Sequence, residues 1–197
     1  MTSVLITAFE PFDRWRANSS WLCLQELTRE RPTEPAITTR LYPVDFLAAK
    51  EKLRQDLEAD YDYAIHLGQA AKSAVIRLEE IGLNLGGSCS EPDERLRPLE
   101  ADGPVAYRSA LPLNDWAAKL REAGIPARVS QHAGTHLCNA VLYWSQHLSQ
   151  QLGLRTRSVF LHLPLDVSQT LAEREELPSL PAAVSAAALR LILEELH

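Results

Sequence analysis

Ser3-Val4-Leu5-Ile6-Thr7-Ala8-Phe9-Glu10-Pro11-Phe12-Asp13 opens the chain with a short β-rich run that stops at a proline. Apolar side chains at most positions fit a strand buried on both faces, the condition of a strand inside a parallel sheet covered by helices. Pro11 lacks the N–H that a ladder needs, so the strand ends before it and Phe9 and Phe12 stand at its carboxyl end. Ligands of open α/β sheets bind at that end. Two aromatic rings there suit the wall of a small flat ligand, and equally well a cap on the core.

Outward from this strand the pattern alternates. A helix capped by Asn18, Ser19 or Ser20 runs through Trp21, Leu22, Leu24 and Leu27 with Cys23 inside it, and Pro32 and Pro35 mark the loop that follows. Ala36 to Tyr42 reads as a second strand. Asp45 to Leu57 reads as a helix with Phe46, Leu47, Leu53 and Leu57 on its apolar side and Lys50, Glu51, Lys52, Arg54 and Asp56 opposite. Alternating strands and helices predict an α/β fold with parallel pairing and right-handed crossovers.

The third strand, Tyr63 to Gly68, closes on Gly68-Gln69-Ala70-Ala71. Gly68 permits a tight turn there, and Gln69 offers a donor and an acceptor, the pairing a lactam ring needs. A solvated loop glutamine also fits. Val75 to Leu85 is strand-like, yet carries Glu79-Glu80 in its middle. Alternation puts the two carboxylates on opposite faces, so one can enter a site while the other is solvated or salt-bridged. Gly86 to Pro104 is polar, turn-rich and long enough to suggest a lid or a subunit contact. Beyond it, Leu113 to Ala123 fits a helix with Asn114 as cap and Gly124 as stop, Ala127 to Ser130 a strand, and Arg157 to Leu165 the last strand, with His162 just before Pro164. Leu180 to Leu196 is an Ala- and Leu-rich helix expected to pack flat on the sheet.

Between the last two strands lies Ala133-Gly134-Thr135-His136-Leu137-Cys138-Asn139-Ala140-Val141-Leu142-Tyr143-Trp144, a small-residue turn running into an apolar helical pattern. With Thr135 as N-cap, Cys138 falls in the first turn. Unpaired N–H groups and the helix dipole there favour the thiolate and can hold an oxyanion. The same position also suits a small buried core cysteine.

Composition narrows the function. The 197 residues are 46% hydrophobic, enough for one well-buried domain, taken here as 1–197. A net charge of -6 without a Lys/Arg run lacks the footprint of a nucleic-acid or anionic-membrane binder, so small substrates are expected. Three widely spaced cysteines (Cys23, Cys89, Cys138) form neither a disulfide framework nor a zinc motif, and a reducing compartment is expected. A strand-like run follows Met1 almost at once, and no apolar stretch nears the roughly 20 residues of a membrane helix, so the expected location is the cytosol.

Glu79, Cys138 and His162 thus lie near strand ends or at a helix start. A Cys–His pair with a carboxylate fixing the imidazole tautomer is what thiol-based acyl transfer needs. On residue pattern alone, His132 and His136 beside the cysteine remain rivals for the base.

Four stretches resemble the pyroglutamyl peptidase I (pyrrolidone-carboxylate peptidase) family of cysteine peptidases, over nearly the whole chain. Ile6 to Phe12 with Asn18-Ser19-Ser20-Trp21 is similar to its Thr-Gly-Phe-x-Pro-Phe-Gly and Asn-Pro-Ser-Trp. His66-Leu67-Gly68-Gln69-Ala70 and Ile76 to Asn84 resemble its Gly-Gln-Ala-Gly-Gly-Arg and hydrophobic-x-x-Glu-Arg-hydrophobic-Ala-x-Asn. Asp102 to Tyr107 with Leu111-Pro112, and Ala133-Gly134-Thr135 with Leu137-Cys138-Asn139 and Leu161 to Pro164, match the remaining boxes.

The resemblance implies a parallel-rich three-layer α/β/α sandwich, a cofactor-free and metal-free enzyme, and a tetramer or dimer. It implies that Cys138 is the nucleophile, His162 the base and acid, and Glu79 the residue orienting His162. Phe9 and Phe12 would sandwich a pyroglutamyl ring, Gln69 would pair with the lactam through its backbone, and Asn18 and His136 would complete the pocket. The implied reaction removes an N-terminal pyroglutamyl residue from peptides through a thioester. Departures from the family pattern fall at Asp13, at Ala71-Lys72-Ser73, at Gly86 to Ser90 and at His136. A binder that has lost turnover, or a nucleoside-phosphorylase-like enzyme on a related sandwich, stands as the alternative.

Overall fold

The computed structural model of the chain describes residues 2–30, 32–87, 96–171 and 173–196. In chain order its elements are β1 Ser3–Phe9, α1 Ser19–Arg29, β2 Ala36–Tyr42, α2 Phe46–Leu57, β3 Tyr63–Gln69, β4 Ile76–Glu79, β5 Ile81–Leu83 and β6 Ala106–Arg108. There follow α3 Leu113–Glu122, β7 Ala127–Ser130, α4 Leu137–Gln151, β8 Arg157–Leu163, α5 Val167–Thr170 and α6 Ala182–Leu193. Among the described residues six strands form one sheet in the order β2-β1-β3-β8-β4-β7, and β5 and β6 pair separately.

Both faces of the sheet are covered, as its apolar strands require. One face of β1 (Val4, Ile6, Ala8) joins Ile65, Leu67, Val159 and Leu161 beneath α1, α3 and α6. The opposite face (Leu5, Phe9, Ala64, Phe160) packs under α2 and α4 through Leu53, Leu57, Ala140 and Val141. This is the three-layer α/β/α sandwich, with the cysteine-bearing helix on the second face.

The sheet is parallel at every pairing except one. β4 runs antiparallel to β8 and parallel to β7. Only Ala70 to Val75 link β3 to β4, and a parallel return needs a dozen residues or more, so β4 must run the other way. The run read as one strand from Val75 to Leu85 also breaks at Glu80, where the chain leaves the main sheet to pair with β6.

Local chemistry shifts several expected boundaries. Asn18 caps α1, its side chain accepting from Ser20 N. The first helical residue of α4 is Leu137 and its N-cap is His136, not Thr135, with no side-chain cap bond. Pro112, not Asn114, precedes α3, because a proline needs no N–H at a helix start. Gly124 does stop that helix, at φ 78. Leu47 is 81% exposed, since Ala49, Leu53 and Leu57 at four-residue spacing already form the buried stripe. The C-terminal helix begins at Ala182 rather than Leu180, and Asp166 anchors it by accepting from Ala182 N at 2.6 Å while capping the unforeseen α5.

The long segment is pinned at its base. Gly86 and Arg97 exchange backbone hydrogen bonds at 2.9 and 3.0 Å, and Gly87 N donates to Thr135 O in the cysteine turn. Asn84 ties Glu100 and Gly103 to β5. Ser88, Cys89 and Ser90, three of the departures noted above, lie outside the described residues.

Candidate active site

Strand register alone gathers the reactive groups. Glu79 stands opposite Phe160 and Arg77 opposite His162 in the β4–β8 ladder, while His66 pairs with Phe160 and Gly68 with His162 in the β3–β8 ladder. Opposed residues share a face, and Phe160 and His162 are two apart. All these side chains therefore rise on the α4 side. Because β4 is antiparallel, Glu79 comes up one pleat deeper than His162 rather than at the rim, which explains its complete burial.

His162 Nδ1 and Glu79 Oε1 are 2.6 Å apart. A carboxylate only accepts, so Nδ1 carries the proton and Nε2 is left for the cleft. Burial would lower the basicity of His162. The half-buried Cys138 and then Glu79 overcome this and hold the imidazole up at about 9. Arg77 Nε lies 3.4 Å from Glu79 Oε1 and supplies the charge that a fully buried carboxylate requires. Glu80 faces away and pairs with Arg108 at 2.6 Å.

Cys138 is the second residue of α4. The first intrahelical bond runs from Ala140 N to His136 O, so the N–H groups of Leu137, Cys138 and Asn139 precede it and point out of the helix end. Asn139 locks this end. Its Oδ1 accepts from Leu83 N at 2.8 Å and its Nδ2 donates to Leu83 O and Leu85 O. Gly68 was expected to serve a turn but sits inside β3, and its role is close approach. A Cβ there would lie 2.5 Å from the Phe160 ring and 3.1 Å from Cys138 Sγ.

The groups open into a cleft of about 320 Å³ lined by Phe9, Phe12, Asn18, Gln69, His136, Cys138 and His162, with Trp15, Val44 and Arg77 among the further walls. Every site residue expected from the sequence is here except Glu79, which lies behind His162. The contacts of three of them narrow their parts. The side-chain carbonyl of Gln69 accepts from Ser19 N at 3.0 Å and from Gln169 Nε2 at 2.8 Å, so it is committed to structure. The Asn18 amide is likewise engaged, with Ser20 and Glu10 O. His136 is held below its ordinary basicity by burial and sits between Phe12 and Phe46 at 5.6 and 5.5 Å, a neutral ring in an aromatic wall.

The rival His132 accepts from Gly134 N in its own loop through Nδ1. His66 is buried against Thr7 and pushed down to about 3 by desolvation. Sequence reasoning missed Gln169, Trp15 and Val44, whose positions follow from loop paths rather than from periodicity. Among the described residues no group of three or more His, Cys, Asp and Glu is arranged to hold a metal.

Residues 2–196 match the family model described as pyroglutamyl peptidase. A pyrrolidone-carboxylate peptidase of Streptomyces coelicolor is 36% identical over 98% of this chain and 91% of its own length. One from Bacillus subtilis is 34% identical over 95% and 89%. The crystal structure of pyrrolidone carboxyl peptidase from Fervidobacterium islandicum superposes with a TM-score of 0.92 at 34% identity, covering 99% of this chain and 98% of that one. A mutant pyrrolidone carboxyl peptidase from P. furiosus gives 0.90 at 32%, covering 98% and 97%. A Cys–His–Glu arrangement of this geometry, on this fold and at these levels of identity over the full length, means that the chain belongs to the pyroglutamyl peptidase family of cysteine peptidases.

Proposed function

We propose that the protein is a cysteine exopeptidase that removes N-terminal pyroglutamate from peptides, with Cys138 as nucleophile, His162 as general base and acid, and Glu79 as its orienting carboxylate. The observation that carries this reading is the 2.6 Å His162–Glu79 bond beneath a cysteine at a helix start, at the edge of an aromatic-walled cleft. The Cys138 thiolate attacks the pyroglutamyl carbonyl, and the oxyanion that forms is held by N–H groups of the first turn of α4. His162 then gives its proton to the leaving amine, and the C–N bond breaks to leave a thioester. Water, deprotonated by His162, attacks the thioester, and pyroglutamate leaves as Cys138 regains the proton.

Phe9 and Phe12 form the ring's walls, with the neutral His136 extending them. Lactam recognition falls to the Gln69 backbone. Ala70 N donates to Leu163 O in β8, so strand alternation turns the Gln69 N–H and C=O to the opposite edge, beyond the last β1–β3 pair at Thr7 and His66. A complete triad favours turnover over a silent binder.

We also take residues 1–197 to act as one catalytic domain in a cytoplasmic homo-oligomer, a tetramer or dimer, needing no metal, cofactor, nucleic acid or membrane. Family resemblance and a net charge of -6 without a Lys/Arg run support this, and light scattering tests the assembly. No helix of the described residues is long and apolar enough to cross a membrane.

The central test compares a pyroglutamyl amide with its prolyl counterpart. Removing the ring carbonyl leaves the lactam-binding groups unpaired, and such sites reject the analogue by about 10⁴-fold. Equal rates on the two would refute the lactam pocket.

A further inference from the structure

The cleft does not end at His162. It shares Ala70, Ala71 and Arg77 with a second depression of about 500 Å³, whose other walls include Lys72, Ser73, Val75 and Arg128. Three cations and no carboxylate stand on its walls, in a chain whose net charge is -6. Such a local reversal of sign focuses anions.

The cations are arranged, not scattered. His162 is opposite Arg77 in one ladder and Arg77 is opposite Arg128 in the next, so the two wall arginines form a row with His162 across β8, β4 and β7, and Lys72 stands in the loop beside it. Like charges directly opposite on neighbouring strands destabilise the pairing. Arg77 leans to Glu79 at 3.4 Å, but its Nε makes no hydrogen bond, and neither Lys72 nor Arg128 has an ion-pair partner among the described residues. Glu79 already balances His162 and Arg77, which leaves Lys72 and Arg128 to be matched by an anion seated along the row.

Given the proposed peptidase reading, on which this inference rests, the leaving amine takes its proton from His162 and the leaving peptide starts there. Strands are spaced about 4.8 Å apart, so Arg77 lies about 5 Å and Arg128 about 10 Å along the row. An extended chain covers about 3.5 Å per residue, so a leaving group of one to three residues spans this distance.

We propose that the Lys72–Arg77–Arg128 groove is a leaving-group subsite that binds a carboxylate one to three residues beyond the scissile bond. The carboxylate is either the free C-terminus of a short peptide or an acidic side chain. The groove thus favours short or acidic pyroglutamyl peptides over neutral amides.

The test measures kcat/KM on pyroglutamyl-Ala-Ala against its C-terminal amide, and on pyroglutamyl-Ala-Glu-amide against pyroglutamyl-Ala-Gln-amide. A partly exposed charge contact is worth up to about 1 kcal/mol, so at low salt the acid of at least one pair should be favoured about five-fold. The first pair reports on the C-terminus and the second on a side chain. The preference should fade at about 1 M salt, where the Debye length falls to about 3 Å. In the Lys72→Ala/Arg128→Ala protein the ratio should collapse toward one. Ratios near one in the parent, or a preference that survives in the double variant, overturn the proposal while leaving the peptidase reading intact. If no substrate turns over, the peptidase reading fails, and equilibrium binding of the same peptide pairs to the Cys138→Ala protein decides for the groove. Tighter binding of the acid supports it, and equal or absent binding overturns it.

Discussion

Replacing Glu79 by glutamine preserves the volume and an acceptor beside His162 Nδ1 while removing the charge. The parent contact is a 2.6 Å bond from His162 Nδ1 to a carboxylate that is 0% exposed, so no water can take its place. An imidazole held at about 9 against an ordinary 6.5 has its charged form favoured by about 3 kcal/mol. Cys138 and Glu79 both hold the imidazole protonated, so loss of the Glu79 charge alone slows turnover even where the geometry survives. Glutamine can also donate to Nδ1 and trap the wrong tautomer, an error that costs a serine triad about 10⁴-fold. The expected fall in kcat therefore lies near 10²–10³-fold, with KM changed by less than about three-fold. The pH profile gives an independent reading. A raised folded pKa means that the charged imidazole, and the stability it contributes, are fully present below about 6.5 and lost as pH rises through about 9. The alkaline limb of kcat/KM should thus stand near 9 in the parent and move toward neutrality in Glu79→Gln. Glu80→Gln, whose parent side chain pairs with the exposed Arg108, should match the parent in both measurements. Turnover of Glu79→Gln within three-fold of the parent, or an inactive Glu80→Gln, would refute the assignment.

Cys138→Ala should abolish hydrolysis, whereas Cys23→Ser should stay within a few-fold of the parent. Cys23 is fully buried and its thiol is pushed up to about 12, so mass spectrometry after alkylation at neutral pH should find Cys138 modified and Cys23 untouched. Gly68→Ala should cut kcat by about 10²-fold with the circular dichroism spectrum unchanged, because its methyl must displace Phe160 or the Cys138 thiol and a misplacement near 1 Å has that effect; full activity would show that the contact yields freely.

How much could be read in the chain follows from the range of each interaction. Burial and periodicity act over a few residues, so the strands at Ser3 to Phe9 and Tyr63 to Gly68, a helix cap among Asn18, Ser19 and Ser20, and the helix with Cys138 in its first turn were legible, as was the opposition of Glu79 and Glu80. Cys138, His162 and Glu79 were singled out by residue type and position, but the choice of His162 over His132 and His136 needed resemblance. Periodicity carries no information about which strand lies beside β8. That neighbour is β4, running antiparallel, and its direction sends Glu79 beneath His162 instead of to the rim. Other roles were likewise set by partners far along the chain. Gln169 takes up the Gln69 side chain from 100 residues away, Asn139 bonds Leu83 across 56, and Gly68 is glycine because a helix and a strand from later in the chain press on it. The sequence by itself determined most of the segments that are strands and helices and which residues can do thiol chemistry, since those depend on local sterics and side-chain type. Only the tertiary structure decided which of those residues meet, because register and strand direction are settled by packing the whole sheet between its two helical layers.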